Sequence, residues 1–290
     1  MGESLTLDEF FELWPLFREA ALTGALAGAL LGMLGVYVVL RRLVFLSAAV
    51  SQAAGLGVAL AFYARLHLGA AGLLADPTLG AGALTLLAIA AIVGGGRAAP
   101  AQRDSLLGVV WLLGAAGTLA VGTRIVQDLA DIDSLLFGSA VAVVPDDFTR
   151  VGVVAAVIGA LHLWAWRGFA AAAFDPDGAR VRGLPVRLLD AALFVTLAVA
   201  VSVCTRVIGA LPTFAFSVLP ALAALRLAPR VSAALVLGAL LGAGCGFGGY
   251  LLASLHDLPV GAAQTLTGVA LAALVAGAAA LVDRLRRHLP

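Results

Sequence analysis

The chain has 290 residues, of which 62% are hydrophobic and only 12% charged, with a formal net charge of +1; at about 20 residues per crossing, the apolar material suffices for about nine membrane-spanning helices. With about half the charge of an ordinary soluble domain, this composition excludes a soluble enzyme, a nucleic-acid-binding domain, a disordered chain and a disulfide scaffold. All 18 basic residues are arginine, which removes the lysine that a P-loop sends to nucleotide phosphates and the amine of Schiff-base chemistry.

Residues 1–19 set Glu3, Asp8, Glu9, Glu12 and Glu19 against Arg18, the wrong balance for the basic start of a signal peptide. With Phe10, Phe11, Leu13, Trp14, Leu16 and Phe17 they read as an extracytoplasmic amphipathic segment, Trp14 at the membrane interface. Continuous Ala- and Leu-rich runs, without the alternation of barrel strands, predict helical spans over 20–40, 47–66, 79–96, 105–122, 150–167, 188–206, 209–225, 231–252 and 262–282.

Gly24, Gly28 and Gly32 recur every four residues in the first span, and Gly238, Gly242 and Gly246 do so in the eighth. Such ridges let helix backbones approach closely, within a bundle or across a dimer. Residues 134–149 are too short to cross and read as a half-helix or interfacial turn ending at Pro145. The longest break, 168–187, holds a short helix with Asp175 as N-cap and Pro176 at its first position, stopped by Gly183-Leu184-Pro185. The break at 207–211 is weak, so its two flanks can also be read as one span followed by a re-entrant piece. Cys204 and Cys245 fall inside apolar runs and read as small core residues.

Arginine placement orients the spans. Arg41, Arg42, Arg97, Arg103, Arg167, Arg180, Arg182, Arg187, Arg226, Arg230, Arg284, Arg286 and Arg287 fall on one side, and Arg18, Arg65, Arg124, Arg150 and Arg206 on the other. The richer side is cytoplasmic by the positive-inside rule, leaving the N-terminus outside, the C-terminus inside, and Asp76, Asp128, Asp131, Asp133, Asp146, Asp147 and Asp257 outside.

Four stretches carry a resemblance. Arg41-Arg42 precedes a span containing Gly57-Val58-Ala59. Asp133-Ser134-Leu135-Leu136-Phe137-Gly138-Ser139 precedes Val143-Val144-Pro145-Asp146-Asp147. Phe174-Asp175-Pro176 leads to Gly183-Leu184-Pro185-Val186-Arg187-Leu188-Leu189-Asp190, and Ile208-Gly209-Ala210-Leu211 to Leu219-Pro220-Ala221-Leu222-Ala223-Ala224. In this order and topology they resemble the membrane permeases of ATP-binding-cassette importers for zinc, manganese and iron, from about residue 20 to the C-terminus. The resemblance implies an all-α polytopic membrane protein with about 8–9 transmembrane helices in the type II, vitamin B12 permease-like, architecture, with residues 20–290 as one permease domain in the inner membrane.

It implies a non-enzymatic transport subunit that works by alternating access and binds no cofactor of its own. Its partners would be a second permease copy, identical or not, an extracytoplasmic solute-binding protein, and a separate ATPase that uses ATP and Mg. The ATPase would dock on the 168–187 segment, through Asp175, Pro176, Asp177, Gly178, Arg182, Gly183 and Pro185. In the family pattern the second span carries an Asp and a His four residues apart, on one helix face and able to ligate a divalent cation. Here those positions hold Ala48 and Gln52. A metal site therefore cannot be carried over, and the alternatives are a metal chelate or other small solute as cargo, or a degenerate partner in a heterodimer.

Ser47, Ser51 and Gln52 remain a polar stripe, either hydrogen-bonding between helices or lining a pathway. His256 and Asp257, with Asp128, Asp131 and Asp133, are candidates at the extracytoplasmic mouth; a helix cap or a solvated loop is the plain alternative. His162 reads as interfacial, and Asp190, at a cytoplasmic span end near Arg187, as pairing there or snorkelling. Ser139 with His256 and Asp257 supplies the residue types of an intramembrane hydrolase, but nothing fixes their geometry.

Overall fold

The computed structural model describes residues 5–94, 100–125 and 145–288. Every extended element is helical: α1 (Leu7–Glu12), α2 (Trp14–Leu40), α3 (Val44–His67), α4 (Pro77–Gly94), α5 (Pro100–Ile125), α6 (Pro145–Trp164), α7 (Trp166–Phe174), α8 (Pro176–Val181), α9 (Val186–Ile208), α10 (Ala210–Leu227), α11 (Val231–His256) and α12 (Val260–His288), with a 3₁₀ turn at Gly72–Ala75. Among the described residues eight helices are long and apolar enough to cross a membrane, and α4 is a shorter apolar ninth. Leu112, Leu113, Val157, Leu240 and Leu274 are among the large apolar side chains left exposed on them. Hydrocarbon, not water, is the solvent that suits such a surface, so the chain is a multi-pass membrane protein.

Predicted boundaries move at Pro15 and Pro145. The first span opens at Trp14, not residue 20, with Pro15 in its first turn, where a missing N–H costs nothing. The N-terminal segment is thereby split into α1, held by a capping box between Thr6 and Glu9, and the start of α2. Pro145 opens α6 rather than closing an interfacial turn, and Asp146 and Asp147 in that first turn suit the positive end of the helix dipole. At 207–211 the two predicted spans stand as two separate helices, and the alternative of one span with a re-entrant piece falls away. Gly209, with φ +88°, is the single residue that separates α9 from α10, in a conformation that a side chain would strain.

α2 runs through the middle, packed against α11, α10 and α6, while α3 packs against α5 and α4, and α9 against α4. Its core includes Leu31, Leu34 and Tyr37, all fully buried. The contact with α11 is made by the two glycine ridges facing each other. A Cβ built on Gly28 would overlap the Gly242 carbonyl, one on Gly32 the Gly238 carbonyl, and one on Gly246 the Gly24 carbonyl. Gln264 of α12 closes the same seam, donating its amide to the Gly246 oxygen at 3.1 Å. Near the N-terminus, Phe10 stacks on Phe17 at 5.3 Å and reaches Tyr250 of α11 at 6.4 Å, tying α1 to the same helix pair.

Backbone-to-backbone packing leaves no room for a methyl group. Gly242→Ala is expected to lower unfolding stability by about 1–3 kcal/mol through overpacking, whereas Gly244→Ala, whose added Cβ meets open space, is expected to be neutral. Thermal unfolding of the purified variants in detergent checks the pair.

Candidate functional site

The polar stripe of α3 is partly consumed by the fold. Ser47 and Ser51 are both fully buried. The Ser47 hydroxyl shares a hydrogen bond with that of Ser217 on α10, and Ser51 donates to the Ser47 carbonyl one turn back at 2.9 Å. Hydroxyls satisfied in this way hold helices rather than wait for a ligand. Gln52 is only partly buried, and its backbone is closely approached by α5, since a Cβ on Gly114 would come within 2.6 Å of the Gln52 carbonyl carbon.

Ala48 lines a groove of about 510 Å³ between α3 and α5, with Val44, Phe45, Leu107, Trp111 and the Phe214 ring of α10. The groove is almost wholly apolar. Among the described residues no group of three or more His, Cys, Asp or Glu side chains could hold a metal ion.

The break between α6 and α9 is a built structure. Asp175 ends α7 and caps α8, its carboxylate accepting from the Gly178 N–H at 2.9 Å. Gly178 lies so close that a Cβ there would overlap that carboxylate. Pro176 takes the first helical position, Arg182 donates from Nε to the Gly178 oxygen at 3.1 Å, and Gly183 (φ +77°) turns the chain toward Pro185 and α9. The exposed Asp177–Arg180 pair adds little stability. Beneath, Ala172, Ala179 and Val186 form a small core, leaving Phe174 and Val181 largely exposed.

Two sequence readings are corrected at this end of the bundle. His162 is not interfacial but fully buried, its Nε2 2.9 Å from the Thr196 hydroxyl of α9 and its ring 4.2 Å from that of Phe169 on α7. Asp190 pairs with Arg41 at the end of α2, not with Arg187. Tyr37 stands against both His162 and Phe169, so α2, α6, α7 and α9 meet in one buried polar layer beside the 168–187 segment.

At the opposite end, Asp147 lies in the first turn of α6. It is 8% exposed and its charge meets Arg206 of α9 at 2.8 Å, though not in hydrogen-bond alignment. His256 ends α11 and Asp257 follows as its C-cap in the left-handed region, both exposed, and neither is brought together with the residues above. Asp128, Asp131, Asp133 and Ser139 lie outside the described residues.

The missed partners are Ser217, Asp147 with Arg206, and Arg41 with Asp190. Each pairs residues far apart in the chain, so no local spacing signals them. Cys204 and Cys245 are buried and free.

The sequence model of the ABC 3 transport family matches residues 14–279. The chain is similar to the high-affinity zinc uptake system membrane protein ZnuB of Haemophilus influenzae, 24% identical over 86% of this chain and 92% of that protein. It is similar to the manganese transport system membrane protein MntC of Halalkalibacterium halodurans, 26% identical over 89% and 86%. Among solved structures, PsaBC from Streptococcus pneumoniae in complex with Fab superposes with a TM-score of 0.80 at 24% identity, over 93% of this chain and 95% of that one.

Removing Arg206 leaves a buried carboxylate without its counter-charge. Arg206→Gln is expected to cost about 3 kcal/mol or more, and adding Asp147→Asn to recover much of it; a double-mutant cycle by thermal unfolding in detergent measures both.

Proposed function

The chain belongs to the ABC 3 transport family, and from that premise we propose that it is the membrane permease subunit of an importer that moves a divalent metal ion, zinc or manganese. The family match across nearly the whole chain carries this reading, and the zinc and manganese permeases it resembles support the substrate. The subunit is not itself an ATPase and binds no cofactor: a partner ATPase hydrolyses ATP with Mg, and alternating access couples that to transport. The architecture is the type II importer bundle, the N-terminus outside and the C-terminus cytoplasmic. Two permease copies form the pathway, and an extracytoplasmic binding protein delivers the cargo.

The 168–187 segment is the ATPase docking element. Its support is mechanical. A force on α7 reaches α2, α6 and α9 through Phe169, His162 and Tyr37, because packed rings transmit displacement rather than absorb it. Deleting 174–186 is expected to abolish co-purification of the ATPase; retention of the ATPase would remove the docking assignment.

A second reading concerns the cargo. Ala48 offers no ligand, Gln52 a neutral amide, and the groove beside Ala48 is apolar. This favours a chelated metal or another small solute over a bare ion, or a heterodimer whose other chain holds the ligands. Under it, Ala48→Asp with Gln52→His should create a bare-ion site on one helix face and raise ATP-dependent uptake of radiolabelled zinc or manganese in proteoliposomes holding the full transporter. Unchanged rate and selectivity would show that these two positions do not select the cargo.

A further inference from the structure

Four helix ends meet at one end of the bundle around a cavity of about 440 Å³: the end of α3 with Arg65, the start of α4 with Asp76, the first turns of α6 with Arg150, and the end of α9 with Arg206. Its remaining wall is made by Ala70, Ala71, Gly72, Ala75 and Pro77, which add no further charge.

The charges are not equivalent. Arg206 is engaged, holding Asp147 at 2.8 Å and reaching the Thr78 hydroxyl at 3.5 Å. Asp76 is also engaged, one carboxylate oxygen accepting from the Thr78 and Leu79 N–H groups at 2.7 and 3.2 Å to cap α4. Its burial opposes ionisation, but those N–H groups with the Arg150 and Arg206 charges outweigh it and hold its carboxyl below the usual range. Arg65 and Arg150 are exposed and make no hydrogen bond or ion pair with the described residues. Three guanidiniums line this cavity against one aspartate, and Asp147 neutralises one of them, so among the described residues a single positive charge is left uncompensated, with the Arg65 and Arg150 forks unengaged by hydrogen bonds there.

We propose that this cavity is an anion site, in which Arg65 and Arg150 clamp an oxyanion, carboxylate or phosphate, over the Arg206 charge. Guanidinium forks match such planar or tetrahedral oxyanions by paired N–H donors, and the cavity is large enough for a small polycarboxylate rather than a single chloride. The site lies away from the Ala48 groove and does not depend on what the protein transports. The same chemistry is offered by a free solute or by the phosphate of a lipid headgroup.

Citrate binding by the intact protein in nanodiscs of pure phosphatidylcholine, followed by isothermal titration calorimetry, tests it. Arg65→Gln with Arg150→Gln spares the Asp147 ion pair and is expected to weaken citrate by about tenfold or more, the scale of one charged hydrogen bond lost. Asp76→Asn, which keeps a capping side chain and removes the opposing charge, is expected to tighten it, and added salt to weaken it.

If citrate does not bind but phosphatidylglycerol is retained through purification by the wild type and lost from the double variant, the occupant is a lipid headgroup at the same clamp. If neither ligand depends on Arg65 and Arg150, the clamp does not exist and the proposal is overturned.

Discussion

Contact between the backbones of α2 and α11 is the constraint on which the rest of the bundle depends. In hydrocarbon, burying a leucine against another helix gains little over leaving it in lipid, so association relies on close packing and on polar contacts. Two glycine ridges in register bring carbonyls of one helix over the Cα atoms of the other from Gly24 to Gly32. That placement buries α2 at the centre, and the other helices are arranged around it. Gln264 hydrogen-bonds the Gly246 carbonyl and Phe10 packs on Tyr250 one turn beyond it, so α12 and α1 are both held against this pair.

A buried central helix also gives its ends leverage. At one end of α2, Tyr37 enters the ring stack with His162 and Phe169, and Arg41 pairs with Asp190. Neither contact would be reachable from a helix at the periphery. The short helix α8 is tied through α7 to that stack and through Val186 to α9, so an exposed connection between spans is packed continuously onto a deeply buried helix. Gly178 and Asp175 keep α8 compact, each fitted so closely to the other that the cap tolerates no side chain at the glycine.

The helical bundle was legible because hydrocarbon imposes long apolar runs whatever the neighbours. The Asp175 cap was legible because capping is local chemistry within four residues. Span starts were less so: Trp14 and Pro145 lie in stretches whose hydropathy is diluted by acids, yet proline in the first turn and acids near a helix N-terminus are favourable to the helix itself. Pairings across the fold were not legible. Arg187 is nearer Asp190 in the chain, but Arg41 is nearer in space. His162 looked like an interfacial residue because it stands near the end of its span, while Phe169 of α7 stacks over it and buries it. The two glycine ridges were each visible, but only three dimensions make them partners.

The fate of the α3 stripe bears on how a pathway could use this helix. A side chain can serve a passing solute only if the fold has not already satisfied it. Ser47 and Ser51 are satisfied, one by Ser217 and one by the helix backbone, and turning either toward a solute would give up that hydrogen bond. The Gln52 amide makes no hydrogen bond among the described residues and stands one turn along from Ala48, which opens onto the apolar groove. The polarity that this span can lend to a cargo is therefore concentrated in one neutral amide beside a hydrocarbon-lined wall. If the proposed pathway runs along this span, such a surface suits a solute that brings its own ligands better than one that must exchange water for protein ligands along the way.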